Sequence, residues 1–169
     1  DMMLTRMAQY HADTVSTYVH WGFHEYREGK FDFTGKTDPR RDLVGFIELC
    51  RKKGLKLILK PGPFIDAETN AGGIPQWLFK KYPETIAVNR KGKPYIHGDS
   101  GMPRISYLHP KYLELVERYF NELGKRTARY QWPDGPIVAV QVDNETPGDG
   151  FITMSNFFTY NFKTDYNDY

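Results

Sequence analysis

An asparagine and a glutamate, Asn144 and Glu145, stand directly after residues 138–143, a largely apolar run with the composition of a buried strand. Such a run is held in a core, and here it brings an amide and a carboxyl group to its C-terminal end. In parallel α/β folds, catalytic side chains lie at the carboxyl ends of the strands. Glu145 is therefore a candidate general acid, and Asn144 is a candidate partner for a substrate hydroxyl. The alternative is a strand that ends in a solvated turn, because Asn, Glu, Thr and Pro all suit loops.

Two further predicted strands also lead into polar and aromatic residues. The first, residues 14–19, has Tyr18, His20, Trp21, His24 and Glu25 at or after its C-terminal end. The second, residues 55–60, is followed by Phe64, Asp66, Glu68 and Asn70. If these strand ends face one crevice, they supply carboxylates, amides and aromatic rings together. A sugar needs this combination, because its ring has an apolar face for stacking and a rim of hydroxyls for hydrogen bonds.

Metal binding is the competing interpretation of His20, His24 and Glu25. A strand end does not keep an i, i+4 pair on one face as a helix does, and the chain has no His-Glu-x-x-His pattern. We therefore expect neither a metal nor a cofactor.

Helices and strands alternate along the chain. The predicted order is helix 2–10, strand 14–19, helix 39–54, strand 55–60, helix 110–124 and strand 136–145. Pro61-Gly62-Pro63 is expected to stop the second strand. The third helix carries Leu113, Val116, Phe120 and Leu123 at a helical spacing. This alternation favours βαβ units and a parallel sheet. Residues 80–109 are rich in turn residues and are predicted to form a functional loop.

Composition excludes several classes of protein. The 169 residues are 40% hydrophobic and 15% aromatic, and the 23 basic residues are scattered and give a net charge of only +2. Neither a nucleic-acid surface nor a membrane surface is indicated, and no apolar stretch reaches the ~18 residues of a membrane span. Cys50 is the single cysteine. It lies in an apolar helix and is expected to be a core thiol.

Two motifs in the middle of the chain are specific. Residues 60–68 read Lys-Pro-Gly-Pro-Phe-Ile-Asp-Ala-Glu, and residues 72–78 read Gly-Gly-Ile-Pro-Gln-Trp-Leu. With residues 15–33 before them and 137–145 after them, they resemble glycoside hydrolase family 35, the β-galactosidases. That family's signatures are Arg-Pro-Gly-Pro-Tyr-Ile-Cys-Ala-Glu-Trp and Gly-Gly-Leu-Pro-x-Trp-Leu. The resemblance extends from about residue 2 to about residue 150.

The chain departs from the family pattern at several pocket positions. Phe64 replaces a Tyr, Asp66 stands where Cys or Asn is usual, and Thr69 replaces a Trp. Residues 82–92 and 143–145 are more similar to family 42, a related β-galactosidase barrel. Both families belong to one clan of retaining enzymes, so the resemblance implies the reaction type more firmly than the sugar.

The resemblance also implies roles for individual residues. Glu145 corresponds to the general acid/base, and Asn144 corresponds to the residue that binds the sugar 2-hydroxyl. The remaining substrate-binding positions are Tyr18, Asp66, Ala67 and Glu68.

For the fold, the resemblance implies an α/β protein, an incomplete (β/α)8 TIM barrel. Its three strands correspond to about strands two to four, so that residues 1–169 form one partial catalytic domain. The nucleophile is expected on a seventh strand that is not in this chain. We therefore expect these residues alone to be inactive, whether they are a fragment or an incomplete gene product.

Two functions remain open. The first is retaining hydrolysis of terminal β-galactosides, or of another β-glycoside, as the altered pocket residues allow. The second is carbohydrate binding by a non-catalytic homologue. The intact Asn144-Glu145 pair favours hydrolysis, because a binding protein has no need of a protonatable acid beside an amide. The expected partner is a carbohydrate, with no nucleic acid and no membrane, while the compartment and the oligomeric state stay open.

Overall fold

The computed structural model describes residues 1–65, 69–96, 101–144 and 167. Within them the helices are α1 (Met2–Gln9), α2 (Trp21–His24), α3 (Leu43–Lys52), α4 (Gln76–Lys81) and α5 (Pro110–Thr127). The strands are β1 (Thr14–Tyr18), β2 (Glu25–Arg27), β3 (Lys30–Phe31), β4 (Lys56–Ile65) and β5 (Ile137–Asn144). Short 3₁₀ turns occupy Pro39–Arg41, Asn70–Gly73, Pro83–Thr85 and Ala128–Tyr130.

A parallel sheet of three strands, in the order β1-β4-β5, organises this part of the chain. Tyr18 of β1 pairs with Lys60 of β4, and Leu57 of β4 pairs with Ile137 of β5. Each connection between neighbouring strands contains a long helix, α3 in the first and α5 in the second. The prediction of βαβ units and a parallel sheet is confirmed. The strands β2 and β3 form a separate antiparallel pair.

Local signals in the sequence explain where the two long helices begin. Asp42 caps α3, because its carboxylate accepts the Gly45 N–H at 2.8 Å. Pro110 lies in the first turn of α5, where its missing N–H leaves nothing unsatisfied. The preceding His109 accepts the Lys111 N–H on Nδ1 at 3.1 Å. Both helices therefore start where the sequence supplies a cap.

The core lies between the sheet and the helices α3 and α5. Leu57 and Leu59 of β4 are fully buried, in the same apolar cluster as Ile47 of α3 and Leu115 of α5. Cys50 belongs to this cluster, and burial raises the pKa of its thiol to about 11. The prediction of a core thiol is confirmed.

One side of β5 is left open by the described residues. Val138, Val140 and Val142 alternate along the strand and are 39%, 47% and 65% exposed. Alternate residues of a strand share a face. The described part of the chain therefore presents an uncovered apolar face at this edge of the sheet.

The expectation that Pro61-Gly62-Pro63 stops the second strand is wrong, because β4 continues to Ile65. Its pairing with β5 is irregular between Leu59 and Gly62, and again between Gly62 and Ile65. Irregularities of this kind accommodate proline, which has no N–H to donate to the ladder. The sheet therefore passes through a motif that reads as a turn.

The buried face of α5 also differs from the predicted one. Leu113 is 48% exposed, while Val116 and Phe120 are only partly buried. The residues that enter the core are Tyr112, Leu115, Tyr119, Leu123 and Thr127. The Tyr119 hydroxyl donates to the Val19 carbonyl at 2.8 Å. A tyrosine can lie in a core when its hydroxyl finds such an acceptor.

The segment between α4 and α5 folds back on itself. Isolated bridges join Ile86 to Ile105, Val88 to Pro94 and Ile96 to Pro103. Ile105 and Ala87, both in this segment, are buried. A functional role for the segment stays a prediction.

Candidate functional site

Two of the three parallel strands end level with each other. The last residue of β4, Ile65, pairs with the last residue of β5, Asn144. β1 ends earlier, with Tyr18 opposite Lys60. All three carboxyl ends point toward the same edge of the sheet, which is where ligands bind in parallel α/β folds.

Tyr18 presents an aromatic ring at the end of β1. Its side chain is partly exposed and stacks on the His20 ring, with centroids 5.8 Å apart and planes 27° from parallel. The Lys60 ammonium lies 5.2 Å from the centre of the Tyr18 ring. Lys60 of the neighbouring strand β4 therefore holds the ring from one side through a cation–π interaction.

Asn144 is buried and its amide is held in place. Its Oδ1 accepts a hydrogen bond from Gln141 Nε2 at 3.0 Å, and the same Nε2 lies 3.0 Å from the Asp143 carbonyl oxygen. Asp143 itself has a φ of 57°, in the left-handed region that Asp tolerates better than most residues. Its Oδ1 accepts the Phe64 N–H at 2.9 Å and so joins β5 to β4. This shaping role of Asp143 was not predicted, although a polar residue before a strand end is a possible signal for it.

The other predicted site residues lie outside the described part of the chain. They are Asp66, Ala67 and Glu68, which follow Ile65, and Glu145, which follows Asn144. Ile65 and Asn144, the described residues directly before these positions in the sequence, are paired with each other.

Beside Tyr18 lies an open cleft of about 500 Å³. One wall comes from the residues after β1 and the other from residues 69–77. Its lining residues are His20, Gly22, Phe23, Tyr26, Thr69, Asn70, Gly73, Ile74, Gln76 and Trp77. Of these, only His20 and Asn70 were singled out by sequence as strand-end groups. Trp77 was noted only as part of the motif at residues 72–78, and Phe23 and Tyr26 gave no individual signal, because the chain elements that bring these rings together are distant in sequence.

His20 supplies the imidazole of this cleft. Burial lowers the pKa of its imidazole, so the ring is neutral at pH 7 and can both donate and accept. Its Nδ1 is buried and has no hydrogen-bond partner among the described residues.

Comparison with known proteins now decides the family. The model of glycosyl hydrolases family 35 matches residues 1–165. The chain belongs to glycosyl hydrolases family 35. The resemblance carried by the motifs at residues 60–78 is thereby confirmed, while the similarity of residues 82–92 to family 42 stays a prediction.

The relatives that match this chain carry several different names. An exo-β-D-glucosaminidase of Pyrococcus horikoshii is 43% identical over 143 residues, which cover 84% of this chain and 18% of that protein. A β-1,2-glucosyltransferase of Ignavibacterium album is 39% identical, with 84% of this chain and 19% of that protein covered. A β-galactosidase of Xanthomonas manihotis is 35% identical, with 79% and 19% covered. The chain spans about a fifth of the length of these curated relatives.

Three strand-end residues expected at the crevice of this family 35 chain are instead buried in the core. Trp21 stacks on Tyr119, with ring centroids 5.3 Å apart. His24 donates from Nδ1 to the Asp32 carbonyl at 2.8 Å, and burial lowers the pKa of its imidazole. The Glu25 carboxylate is fully buried and accepts hydrogen bonds on both oxygens. Their polar atoms are occupied by the fold, so the expectation that they face a crevice is wrong.

Two absences hold within the described ranges. No group of three or more His, Cys, Asp or Glu side chains there could hold a metal ion. No helix there is long and apolar enough to cross a membrane.

Proposed function

We propose that this chain is the acid/base-bearing part of a retaining β-glycosidase. Residues 1–169 form part of a (β/α)8 barrel, the fold of family 35, with β1, β4 and β5 as its strands two to four. The open apolar face of β5 supports this, since a helix of a closed barrel would cover such a face. The catalytic nucleophile comes from a strand outside this chain.

The observation that carries the proposal is the pairing of Ile65 with Asn144. In this proposal the segment 66–68 and Glu145, which follow these two residues in the sequence, continue from the carboxyl edge of one parallel sheet. Active sites of (β/α)8 barrels lie at this edge, built from the residues that follow several different strands.

Glu145 acts as the general acid/base in this proposal. A retaining glycosidase needs one protonated acid to assist the leaving group and one carboxylate ~5–5.5 Å away to attack the anomeric carbon. The second carboxylate raises the pKa of the first, because two like charges disfavour each other. Once the nucleophile's charge is consumed in the glycosyl-enzyme bond, the deprotonated Glu145 serves as the base that activates water.

Asn144 binds the sugar 2-hydroxyl. Hydrogen bonds to this hydroxyl strengthen as the oxocarbenium-like transition state forms, so they favour the transition state over the bound substrate. The hydrogen bond from Gln141 to Asn144 Oδ1 supports this role, because it fixes the orientation of the amide before substrate arrives.

The sugar itself lies against Tyr18, Asp66, Ala67 and Glu68. The exposed part of the Tyr18 ring offers a stacking face, backed by Lys60 and His20. Glu68 accepts hydrogen bonds from sugar hydroxyls and takes no part in proton transfer.

The first candidate substrate is a terminal β-galactoside, because the motifs of this chain resemble those of the family 35 β-galactosidases. A β-glucosaminide is the second candidate, favoured by the 43% identical exo-β-D-glucosaminidase. Asp66 supplies a physical reason, since it stands where family 35 usually has a neutral Cys or Asn. A carboxylate there would pair with the ammonium group that glucosamine carries and galactose lacks.

The test is made in the complete enzyme that contains this chain. Glu145→Gln should depress hydrolysis of substrates with poor leaving groups by roughly 10²–10⁴-fold, the usual contribution of general acid catalysis. Activated aryl glycosides should lose less in the first step, and azide should restore the second step. Equal loss on all substrates without rescue would remove Glu145 from this role. Intact binding with no turnover by the wild type would favour the non-catalytic homologue.

A matched acid-to-amide change separates binding from chemistry. Glu68→Gln should weaken sugar affinity, because a charge-assisted hydrogen bond contributes about 1.5–3 kcal/mol. Azide should not rescue this variant, since no proton transfer is interrupted. Rescue of Glu68→Gln but not of Glu145→Gln would reverse the two assignments. Parallel assays on β-galactosides and β-glucosaminides decide the sugar.

A further inference from the structure

The cleft beside Tyr18 takes no part in the roles described so far. It begins two residues beyond β1, where His20 stacks on Tyr18. Its opposite wall begins at Thr69, directly after the proposed sugar-binding segment 66–68, and Thr69 Oγ1 donates to the Ile65 carbonyl at 3.2 Å. The cleft therefore adjoins Tyr18 on one side and the end of β4 on the other.

Close backbone packing fixes the walls of the cleft. A Cβ at Gly22 would lie 2.9 Å from Pro75 Cα, so α2 lies directly against the segment that precedes α4. A Cβ at Gly72 would lie 2.2 Å from a ring carbon of Phe64, so the 3₁₀ turn lies directly against the end of β4. Trp77 is held by a hydrogen bond from its Nε1 to the Glu25 carbonyl at 3.2 Å. The cleft is thus formed before any ligand arrives.

The chemistry of the lining suits a neutral, polar ring. The cleft's volume of about 500 Å³ lies within the range of small-molecule sites, about 300–1,000 Å³. Among its described lining residues none carries a formal charge at neutral pH. Three aromatic rings, Phe23, Tyr26 and Trp77, also line the cleft. A guanidinium lies over one face of each ring, that of Arg41 for Phe23 and Tyr26 and that of Arg118 for Trp77, so only the opposite face of each can stack on a ligand.

The rim of the cleft adds hydrogen-bonding groups. Asn70 and Gln76 are exposed, and neither amide side chain has a hydrogen-bond partner within the described part of the chain. The opening also depends on a small residue at 69, where the family signature has Trp. Aromatic faces with unpaired amides around them match the apolar face and the hydroxyl rim of a saccharide.

We propose that this cleft is a second carbohydrate subsite, which holds the saccharide unit on the leaving-group side of the scissile bond. The inference rests on the proposed function, because it takes the neighbouring pocket as the site of the first sugar. The aromatic residues stack on the second unit, while Asn70 and Gln76 bind its hydroxyls. The subsite makes the enzyme prefer a disaccharide to a glycoside with a small leaving group.

The test compares two substrates that differ only in the second unit. These are lactose and methyl β-D-galactoside, or the β-linked glucosamine dimer and methyl β-D-glucosaminide, whichever pair the complete enzyme hydrolyses. The double variant Asn70→Ala/Gln76→Ala should lower kcat/KM for the disaccharide roughly tenfold, as expected for two lost hydrogen bonds. The methyl glycoside should change less than about twofold. Lys80→Ala, an exposed change in α4 outside the cleft, is the control.

A second variant fills the cleft. Thr69→Trp should lower kcat/KM for the disaccharide more than for the methyl glycoside. Thr69→Val, which removes the hydroxyl but keeps the size, should retain the preference. If neither Asn70→Ala/Gln76→Ala nor Thr69→Trp alters the ratio of the two substrates, the subsite is refuted.

Binding gives a readout that does not need turnover. Calorimetric titration of the Glu145→Gln enzyme should show tighter binding of the disaccharide than of its terminal monosaccharide, and the double variant should abolish the difference. If the wild type hydrolyses nothing but this difference is found, the proposed function fails and the subsite stands. Equal affinity for the disaccharide and the monosaccharide overturns the subsite even if hydrolysis is found.

Discussion

The Glu25 carboxylate is the group whose loss we expect to destabilise this domain most. It is fully buried. Its Oε1 accepts the Gly29 N–H at 2.7 Å and an Arg118 N–H at 2.5 Å, and its Oε2 accepts Trp21 Nε1–H at 2.5 Å. These donors come from the hairpin turn, from α5 and from α2, so one carboxylate joins three parts of the chain.

Glu25→Gln keeps the shape of this side chain but removes its charge and one acceptor. Whichever oxygen becomes the NH₂ group, that group then faces a donor N–H. Breaking a buried ion pair from one side costs about 3–5 kcal/mol. Glu28 Oε1 lies 3.9 Å from Arg118 and partly offsets the lost charge. We therefore expect the free energy of unfolding of the variant to be lower by about 3 kcal/mol, the lower end of that range.

The measurement is urea unfolding, followed by circular dichroism, of the polypeptide that contains this chain. Glu114→Gln is the matched control, since Glu114 pairs with Lys111 at the surface of α5 and its side chain is 62% exposed. Such a pair contributes about 0–1 kcal/mol. If the two variants lose the same free energy of unfolding, the buried carboxylate does not join the hairpin to α5 as the contacts indicate.

Three further changes test other contacts. Burial would raise the pKa of Asp32, but backbone and threonine hydrogen bonds outweigh it and hold the pKa well below its usual range. Because the unfolded value is about 3.9, the excess stability of the wild type over Asp32→Asn should be constant from about pH 7 to pH 5. This difference in the free energy of unfolding, measured by urea titration, should shrink below about pH 4. A difference that increases below about pH 4 would contradict the low pKa of Asp32. Tyr119→Phe should lose about 1–2 kcal/mol in the same assay, because a buried carbonyl loses its donor, whereas Tyr10→Phe, at an 84% exposed position, should lose nothing measurable. Gly72→Ala should lose about 1–3 kcal/mol from a clash at positive φ, and more than Gly92→Ala, where φ is also positive but the space is open.

Much of the fold could be predicted because its signals are local. The apolar spacing in residues 43–50 indicates a helix without reference to any other part of the chain. The predicted helix 39–54 nevertheless began too early, because α3 begins at Leu43, after its cap at Asp42. The alternation of such helices with apolar strands then favours a parallel sheet, because successive parallel strands need a crossover between them. The end of β5 at Asn144 follows from the same kind of pattern, because the apolar run stops there.

The predictions failed where a distant partner decides the outcome. Tyr119 could not be assigned to the buried face of α5 from spacing alone, because a buried tyrosine hydroxyl usually needs an acceptor. For Tyr119 that acceptor is Val19, 100 residues away. Likewise, β4 passes through Pro61 because its partner β5 supplies an irregular register that needs no donor there.

The sequence by itself determined the family, the strand-end residues and the type of chemistry that they suit. Only the tertiary structure decided which of those residues are available to a ligand. Glu25 and Tyr18 were both predicted to be strand-end groups. Glu25, however, is buried and accepts a hydrogen bond from Arg118, 93 residues away, while the Tyr18 ring stays partly exposed. The cleft between α2 and residues 69–77 has the same origin. Burial and hydrogen bonding depend on what packs from elsewhere in the chain, and a linear pattern carries no record of that packing.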